Sequence, residues 1–200
     1  ATAGVALRDP ATTPDSILRD ADVALTRAKS LRRGGVEVFN EEMRTRAVER
    51  LTMETELRHA IERDELDLFV QPVVDLGTRK VEGGEALVRW MRRGEDDVNP
   101  EVFIALAEET GLIISIGDWV LGRALGILRT GTVERLSVNL SPRQLLEPGL
   151  PARVERLLHM LEVPPGKLLF EVTENFVVDN FDLASEFLGS LRSMGCAVGL

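Results

Sequence analysis

The sequence predicts an α/β fold built on a mostly parallel sheet, and three observations carry that expectation. From residue 65 onward, short apolar runs of strand length alternate with longer helical stretches; repeated βα units of this kind place their strands in one parallel sheet, open or closed into a barrel. Apolar residues make up 44% of 200, enough for a real core in one or two domains. Residues 1–40 read as a separate β-α-β piece, too small to fold alone.

In order, residues 4–7 read as a strand, and Asp9-Pro10 opens a loop. Thr13 or Asp15 can cap a helix that runs to about Leu31, where Arg32-Arg33-Gly34-Gly35 ends it. Val36 to Phe39 alternates as a short strand. Residues 41–63 form a charged helix with Met43, Ala47, Leu51, Leu57 and Ile61 drifting along one side. It is either a helix joining two domains or a surface helix packed on the next one. Strands are then expected at Leu66–Val70, Val81–Trp90, Leu136–Leu140, Lys167–Val172 and Ala197–Leu200. The intervening helices are expected at Glu101–Glu109, Asp118–Leu128, Leu150–Leu161 and Phe181–Met194. Both ends of the chain read as strands cut in mid-fold.

Charge and cysteine content narrow the function classes. Twenty-four basic against 33 acidic residues leave a net charge of -9, which argues against DNA, RNA or anionic membrane as a bulk partner but allows a small anion held by local Arg and Lys. The single Cys196 has no internal partner, and no Cys/His cluster suggests zinc; a reducing cytoplasm fits. His59 and His159 read as surface residues. No apolar run approaches the roughly 20 residues that span a bilayer.

Glu85-Ala86-Leu87-Val88-Arg89-Trp90 is the most informative stretch. Residues two and four apart in a strand share a face, so Glu85, Leu87 and Arg89 lean the same way. A carboxylate able to hold a divalent cation beside a guanidinium able to grip phosphate is a minimal kit for phosphodiester chemistry; a solvated ion pair has the same spacing. Ligands of α/β proteins gather at the carboxyl ends of the strands. There stand Asn139, and the run Phe170-Glu171-Val172-Thr173-Glu174. Glu85, Asn139 and Glu171 together offer hard oxygen donors suited to Mg²⁺, Mn²⁺ or Ca²⁺. Asn139, before Leu140-Ser141-Pro142, also fits a turn residue, and Glu174 fits either a loop cap or a supporting role. Glu171 lies among apolar neighbours, where an unpaired buried carboxylate is costly.

Leu68-Phe69-Val70-Gln71-Pro72-Val73-Val74-Asp75-Leu76, followed by Glu85-Ala86-Leu87-Val88-Arg89-Trp90, resembles the EAL domain, the bacterial cyclic di-GMP phosphodiesterase family. Pro100 to Ile104, Ala107 to Ile113, Val138-Asn139-Leu140-Ser141 and Glu171-Val172-Thr173-Glu174 extend the resemblance in the family's order. Ala21 to Lys29 resembles the last long helix of a GGDEF (diguanylate cyclase) domain, with Thr26 where that family usually has Tyr.

The resemblance implies a partial TIM-like (β/α)8 barrel of about five strands, the first running against the others, in 64–200. Before it come a GGDEF remnant in 1–40 and a linker helix in 41–63. Glu85, Asn139 and Glu171 would coordinate Mg²⁺ or Mn²⁺. Gln71, Leu87 and Arg89 would contact the dinucleotide, and Glu174 would support the carboxylates Glu85 and Glu171 in catalysis. Lys29 and Arg33 match positions that contact nucleotide phosphate in active cyclases, though a basic helix end favoured by the macrodipole has the same look.

The implied reaction is hydrolysis of cyclic di-GMP to linear pGpG in second-messenger signalling. The alternative is a catalytically silent module that binds cyclic di-GMP or a protein partner. A metal-dependent sugar hydrolase is a third class, and it would not need Arg89. EAL domains are often dimeric, so a homodimer through this domain is the expected assembly. The expected location is cytoplasmic, with any membrane anchor of the parent lying outside this sequence. The family's paired aspartates, and the lysine and glutamate that activate water, would follow Leu200, and a complete barrel needs about 250 residues. The 200-residue polypeptide alone is therefore expected not to hydrolyse cyclic di-GMP at a useful rate, and detectable metal-dependent turnover by it would refute this.

Overall fold

The computed structural model describes residues 1–8, 13–31, 34–92, 97–174, 178 and 180–199. They form two compact units, Ala1–Glu56 and Leu57–Leu200. The first holds β1 (Ala3–Val5), α1 (Pro14–Leu31), β2 (Val36–Val38) and most of α2 (Glu41–Ala60). Its two strands are parallel, in register from Ala3↔Val36 to Val5↔Val38. Of the two candidate caps for α1, Thr13 takes the position. Ser16 N–H donates to Thr13 Oγ1 at 3.2 Å while Thr13 N–H donates to Ser16 Oγ at 3.0 Å. Helix and strand meet so closely that a Cβ on Gly4 would overlap the backbone of Ala21 and Leu25. Arg44 reaches from α2 to Asp20 on α1 at 2.7 Å, with its guanidinium 5.2 Å from the Phe39 ring. Lys29 is exposed. Arg33 lies outside the described residues.

The second unit is a five-stranded sheet in the order β3-β4-β5-β6-β7, with helices against one face. Its strands are β3 (Leu66–Val74), β4 (Val81–Trp90), β5 (Leu136–Asn139), β6 (Leu168–Glu171) and β7 (Ala197–Gly199). The helices are α3 (Pro100–Thr110), α4 (Ile113–Thr130), α5 (Pro142–Leu145), α6 (Leu150–Met160) and α7 (Phe181–Ser193). β3 is antiparallel to β4 and the remaining pairs are parallel. Among the described residues the sheet is open, with β3 and β7 at its edges.

Three elements depart from the sequence expectation. β3 continues past Val70 to Val74, straight through Pro72. Pairing only with β4, it is an edge strand, and there the missing N–H of proline breaks no ladder on the outer side. α4 begins at Ile113 instead of Asp118. Gly111 adopts φ 86° and stops α3, after which the chain re-enters a helix at once, because Ile113 and Ile116 are buried and extend the apolar stripe of Val120, Leu121, Ala124, Leu125 and Leu128. The four-residue α5 had no counterpart in the periodicity, being shorter than one apolar repeat.

The core lies between sheet and helices. Ala86, Trp90, Leu136, Val138, Leu168 and Phe170 are buried there. Trp90 and Phe103, both fully buried, meet edge to face with centroids 5.8 Å apart. Side chains of this size each contribute about 1.5–3 kcal/mol by leaving water. α3 starts where Asn99 Oδ1 accepts from Glu101 N–H at 3.0 Å with Pro100 as the first helical residue. Among the described residues no helix is long and apolar enough to cross a membrane.

Cys196, 5% exposed, begins the turn of chain into β7, and burial pushes its thiol up to about 11. Desolvation disfavours the thiolate, so at pH 8 the native thiol is expected to react with a disulfide reagent roughly a hundredfold more slowly than in urea-unfolded chain. Equal rates in the two states would contradict the burial.

Candidate active site

Strand alternation divides the informative hexapeptide between two environments. Ala86 and Trp90 enter the core, while Glu85, Leu87 and Arg89 point to the other face and are half-buried. The register then sets their neighbours. Gln71 on β3 stands opposite Glu85, Phe69 opposite Leu87 and Asp67 opposite Arg89. On the far side Glu85 aligns with Ser137, and Asn139 aligns with Glu171. Three parallel strands thus bring Glu85, from the middle of β4, to one face with Asn139 and Glu171, the last residues of β5 and β6.

The contacts fix this further. Asn139 Nδ2–H donates to Glu85 Oε1 at 2.8 Å, joining residues 54 positions apart. The bond turns the amide nitrogen to Glu85 and leaves Oδ1 available to a cation. Arg89 makes no ion pair with Glu85. Its Nη1 donates to the Val88 carbonyl at 2.9 Å and its guanidinium sits 5.8 Å from the Phe69 ring centroid. Glu171 is half-buried, not enclosed as its apolar neighbours suggested, because Phe170 and Val172 turn into the core while Glu171 faces the open side. Gln71 and Glu174 are exposed. A cleft of about 560 Å³ brings together Leu87, Arg89, Asn139, Glu171 and Glu174, with Glu108 from α3 on its wall. Glu85 joins this group through Asn139, and Gln71 only through its pairing with Glu85.

The segment after Asn139 is held by a lock that the sequence reading missed. Ser141 Oγ accepts from Gln144 N–H at 3.3 Å and Gln144 Oε1 accepts from Ser141 N–H at 3.1 Å, a reciprocal cap around Pro142. Arg143 Nη1 donates to the carbonyls of Glu108 (2.7 Å) and Glu109 (3.2 Å), satisfying the end of α3. Leu140 N–H donates to the Glu171 carbonyl at 2.8 Å, tying the ends of β5 and β6 together. The signal was legible in Ser141-Pro142-Arg143-Gln144, which is a capping box with proline at the first helical position. Ser137 was missed as well. It lies two residues before Asn139 on the same face, is 7% exposed, and its buried Oγ has no hydrogen-bond partner among the described residues.

The donor chemistry is oxygen only. Among the described residues no three His, Cys, Asp or Glu side chains converge as a metal cluster; Glu85, Glu171 and Asn139 bring carboxylate and amide oxygens to one face, which Asp67 and Gln71 of β3 share. Such a set fits Mg²⁺ or Mn²⁺ with water completing the shell better than zinc.

A model of the EAL domain matches residues 54–200. The chain belongs to the EAL-domain family. The cyclic di-GMP phosphodiesterase NbdA of Pseudomonas aeruginosa is 33% identical over 191 residues, covering 93% of this chain and 24% of that protein. The PaMucR phosphodiesterase, solved as a c-di-GMP complex, is 35% identical with a TM-score of 0.70, over 74% of this chain and 62% of the other. At the level of fold alone, the Vibrio cholerae LapD S helix-GGDEF-EAL structure covers 98% of this chain and 48% of its own, at 17% identity and a TM-score of 0.67. The chain spans about a quarter of the length of the curated relatives it matches.

Proposed function

We propose that the EAL unit serves bacterial second-messenger signalling by hydrolysing cyclic di-GMP to linear pGpG. The observation that carries this reading is the Asn139–Glu85 hydrogen bond at 2.8 Å, with Glu171 in register beside Asn139 and Arg89 lining the same cleft. The relatives named as cyclic di-GMP phosphodiesterases and the c-di-GMP-bound structure of PaMucR support the choice of substrate.

In this reading Glu85, Asn139 Oδ1 and Glu171 hold Mg²⁺ or Mn²⁺. When bound, such an ion polarises the scissile phosphate and lowers the pKa of the attacking water. The chain's own residues then do the positioning. Arg89, without a carboxylate partner among the described residues, swings from the Phe69 ring to a phosphate oxygen, a site suited to its planar fork of donors. Leu87 gives an apolar wall to the dinucleotide, Gln71 offers an amide opposite Glu85, and Glu174 at the rim supports the charge balance of Glu171. Val88, Trp90 and the α3 contacts keep β4 from shifting, so that Glu85 and Arg89 keep their spacing.

The first unit is assigned to the end of a GGDEF domain, in residues 1–40, followed by a connecting helix in 41–63 and the EAL domain from 64. The parallel β1-α1-β2 arrangement and the fold similarity to the LapD GGDEF-EAL structure support that order. A second reading is a module that binds cyclic di-GMP without cleaving it, and the Xanthomonas citri FimX EAL domain in complex with c-diGMP, 30% identical with a TM-score of 0.70, supports the binding step that both readings share. In both readings the EAL unit meets its ligand at the open face, and a homodimer is the proposed assembly.

In the complete parent protein, Glu85→Ala is expected to lower Mg²⁺- or Mn²⁺-dependent conversion of cyclic di-GMP to pGpG by at least about a thousandfold, with an unchanged near-UV circular dichroism spectrum. Retained turnover would sink the metal assignment, and a parent protein that binds cyclic di-GMP without forming pGpG would favour the binding module.

A further inference from the structure

Ser137 is a buried side chain of the sheet's open face, 7% exposed, whose hydroxyl has no hydrogen-bond partner among the described residues. A hydroxyl stripped of water without a replacement bond costs about 1–3 kcal/mol, and a buried group left so in a native fold calls for an explanation. Packing does not supply one. An alanine would fill the same strand position with no polar group to satisfy.

Its surroundings point to a carboxylate. The parallel pairing of β4 and β5 aligns Ser137 with Glu85, and strands so paired stand about 4.8 Å apart, which puts a hydroxyl and a carboxylate on one face within reach of each other. Glu85 Oε1 already accepts from Asn139 on the far side. Its other oxygen can still accept. Across β5, Ser137 aligns with Leu169, whose side chain offers no polar atom, and Glu171 lies two residues farther along beside Asn139. Ser137 and Glu171 also border a second cavity of about 450 Å³ with Gly83, Gly84 and Ala197.

We propose that Ser137 is a positioning residue for the metal site: its Oγ–H donates to the Glu85 carboxylate and fixes the orientation in which Glu85 faces the cation. The proposal rests on the reading of Glu85, Asn139 and Glu171 as metal ligands. Carboxylates that bind metals are commonly held in this way by a hydrogen bond from behind, and loss of such a partner weakens metal affinity by about 10–100-fold. Asn139 Nδ2–H holds one oxygen of Glu85 while its own Oδ1 faces the cation, and Ser137 is the second donor that keeps the carboxylate in place.

The test is Mn²⁺ titration of the full-length polypeptide, read from the electron paramagnetic resonance of the free ion, for the parent, Glu85→Gln, Ser137→Ala and Ser137→Thr. Urea midpoints of the metal-free proteins are measured alongside. Ser137→Ala is expected to weaken Mn²⁺ binding about tenfold while leaving the metal-free midpoint equal or higher, since an unsatisfied hydroxyl has gone. Ser137→Thr, which keeps the hydroxyl on a β-compatible side chain, is expected to restore parent affinity. Parent-like affinity in Ser137→Ala overturns the proposal, as does a lowered metal-free midpoint, which would mark a structural role, or a failure of Ser137→Thr to restore binding. If the parent takes up no Mn²⁺, or Glu85→Gln binds as the parent does, the metal-site reading itself fails and this proposal fails with it. Loss of binding in Glu85→Gln beside normal binding in Ser137→Ala overturns the role of Ser137 alone.

Discussion

Alternate side chains of β4 enter two environments, and this two-residue period governs the C-terminal unit. Ala86 and Trp90 are buried, while Glu85, Leu87 and Arg89 turn to the opposite face of the strand and stay half-buried. A shift of one residue in register would bury Glu85 and Arg89 and expose Trp90, losing the burial of an indole and stranding two charges. The edge-to-face contact of Trp90 with Phe103 therefore does more than stabilise a core. It holds the register that presents the acid and the guanidinium together.

The second layer of control is the loop that follows Asn139. A hydrogen bond from an amide to a carboxylate contributes about 1.5–3 kcal/mol when shielded, and less at an exposed residue such as Asn139, so the Glu85 contact alone is too weak to order the strand end. The backbone carries the remainder. Leu140 is bound to Glu171, the Ser141–Gln144 cap closes the next turn, and Arg143 reaches the last carbonyls of α3. Gly111 participates by its left-handed conformation, which lets α3 stop where those carbonyls meet Arg143. Four segments distant in sequence are thus fastened at one end of the sheet.

Much of this was legible in the sequence, for identifiable reasons. The alternation in Val81 to Trp90 marked both the strand and its two faces, and Pro100 before the helix and Gly111 after it bounded α3. The position of Asn139 and Glu171 at the ends of neighbouring strands followed from βα order. The extension of β3 through Pro72 was not legible, because proline is excluded only from strands paired on both sides and the sequence does not say which strand is the edge. The burial expected for Glu171 was overestimated, since its flanking residues Phe170 and Val172 lie on the opposite face of the strand. Ser137 escaped notice because a lone serine in a strand reads as neutral until its neighbours on β4 and β6 are known. The full extension of α4 to Ile113 was hidden by an apolar run that merges with the preceding turn.

The account stands or falls on whether the open face of the sheet gathers oxygen donors around one cation. Crystals of the full-length polypeptide grown with Mn²⁺ and measured at a wavelength where manganese scatters anomalously address this directly. The account predicts an anomalous peak about 2.0–2.3 Å from carboxylate oxygens of Glu85 and Glu171 and from Asn139 Oδ1. A peak elsewhere, with Asn139 still donating to Glu85 and neither carboxylate ligated, would contradict it.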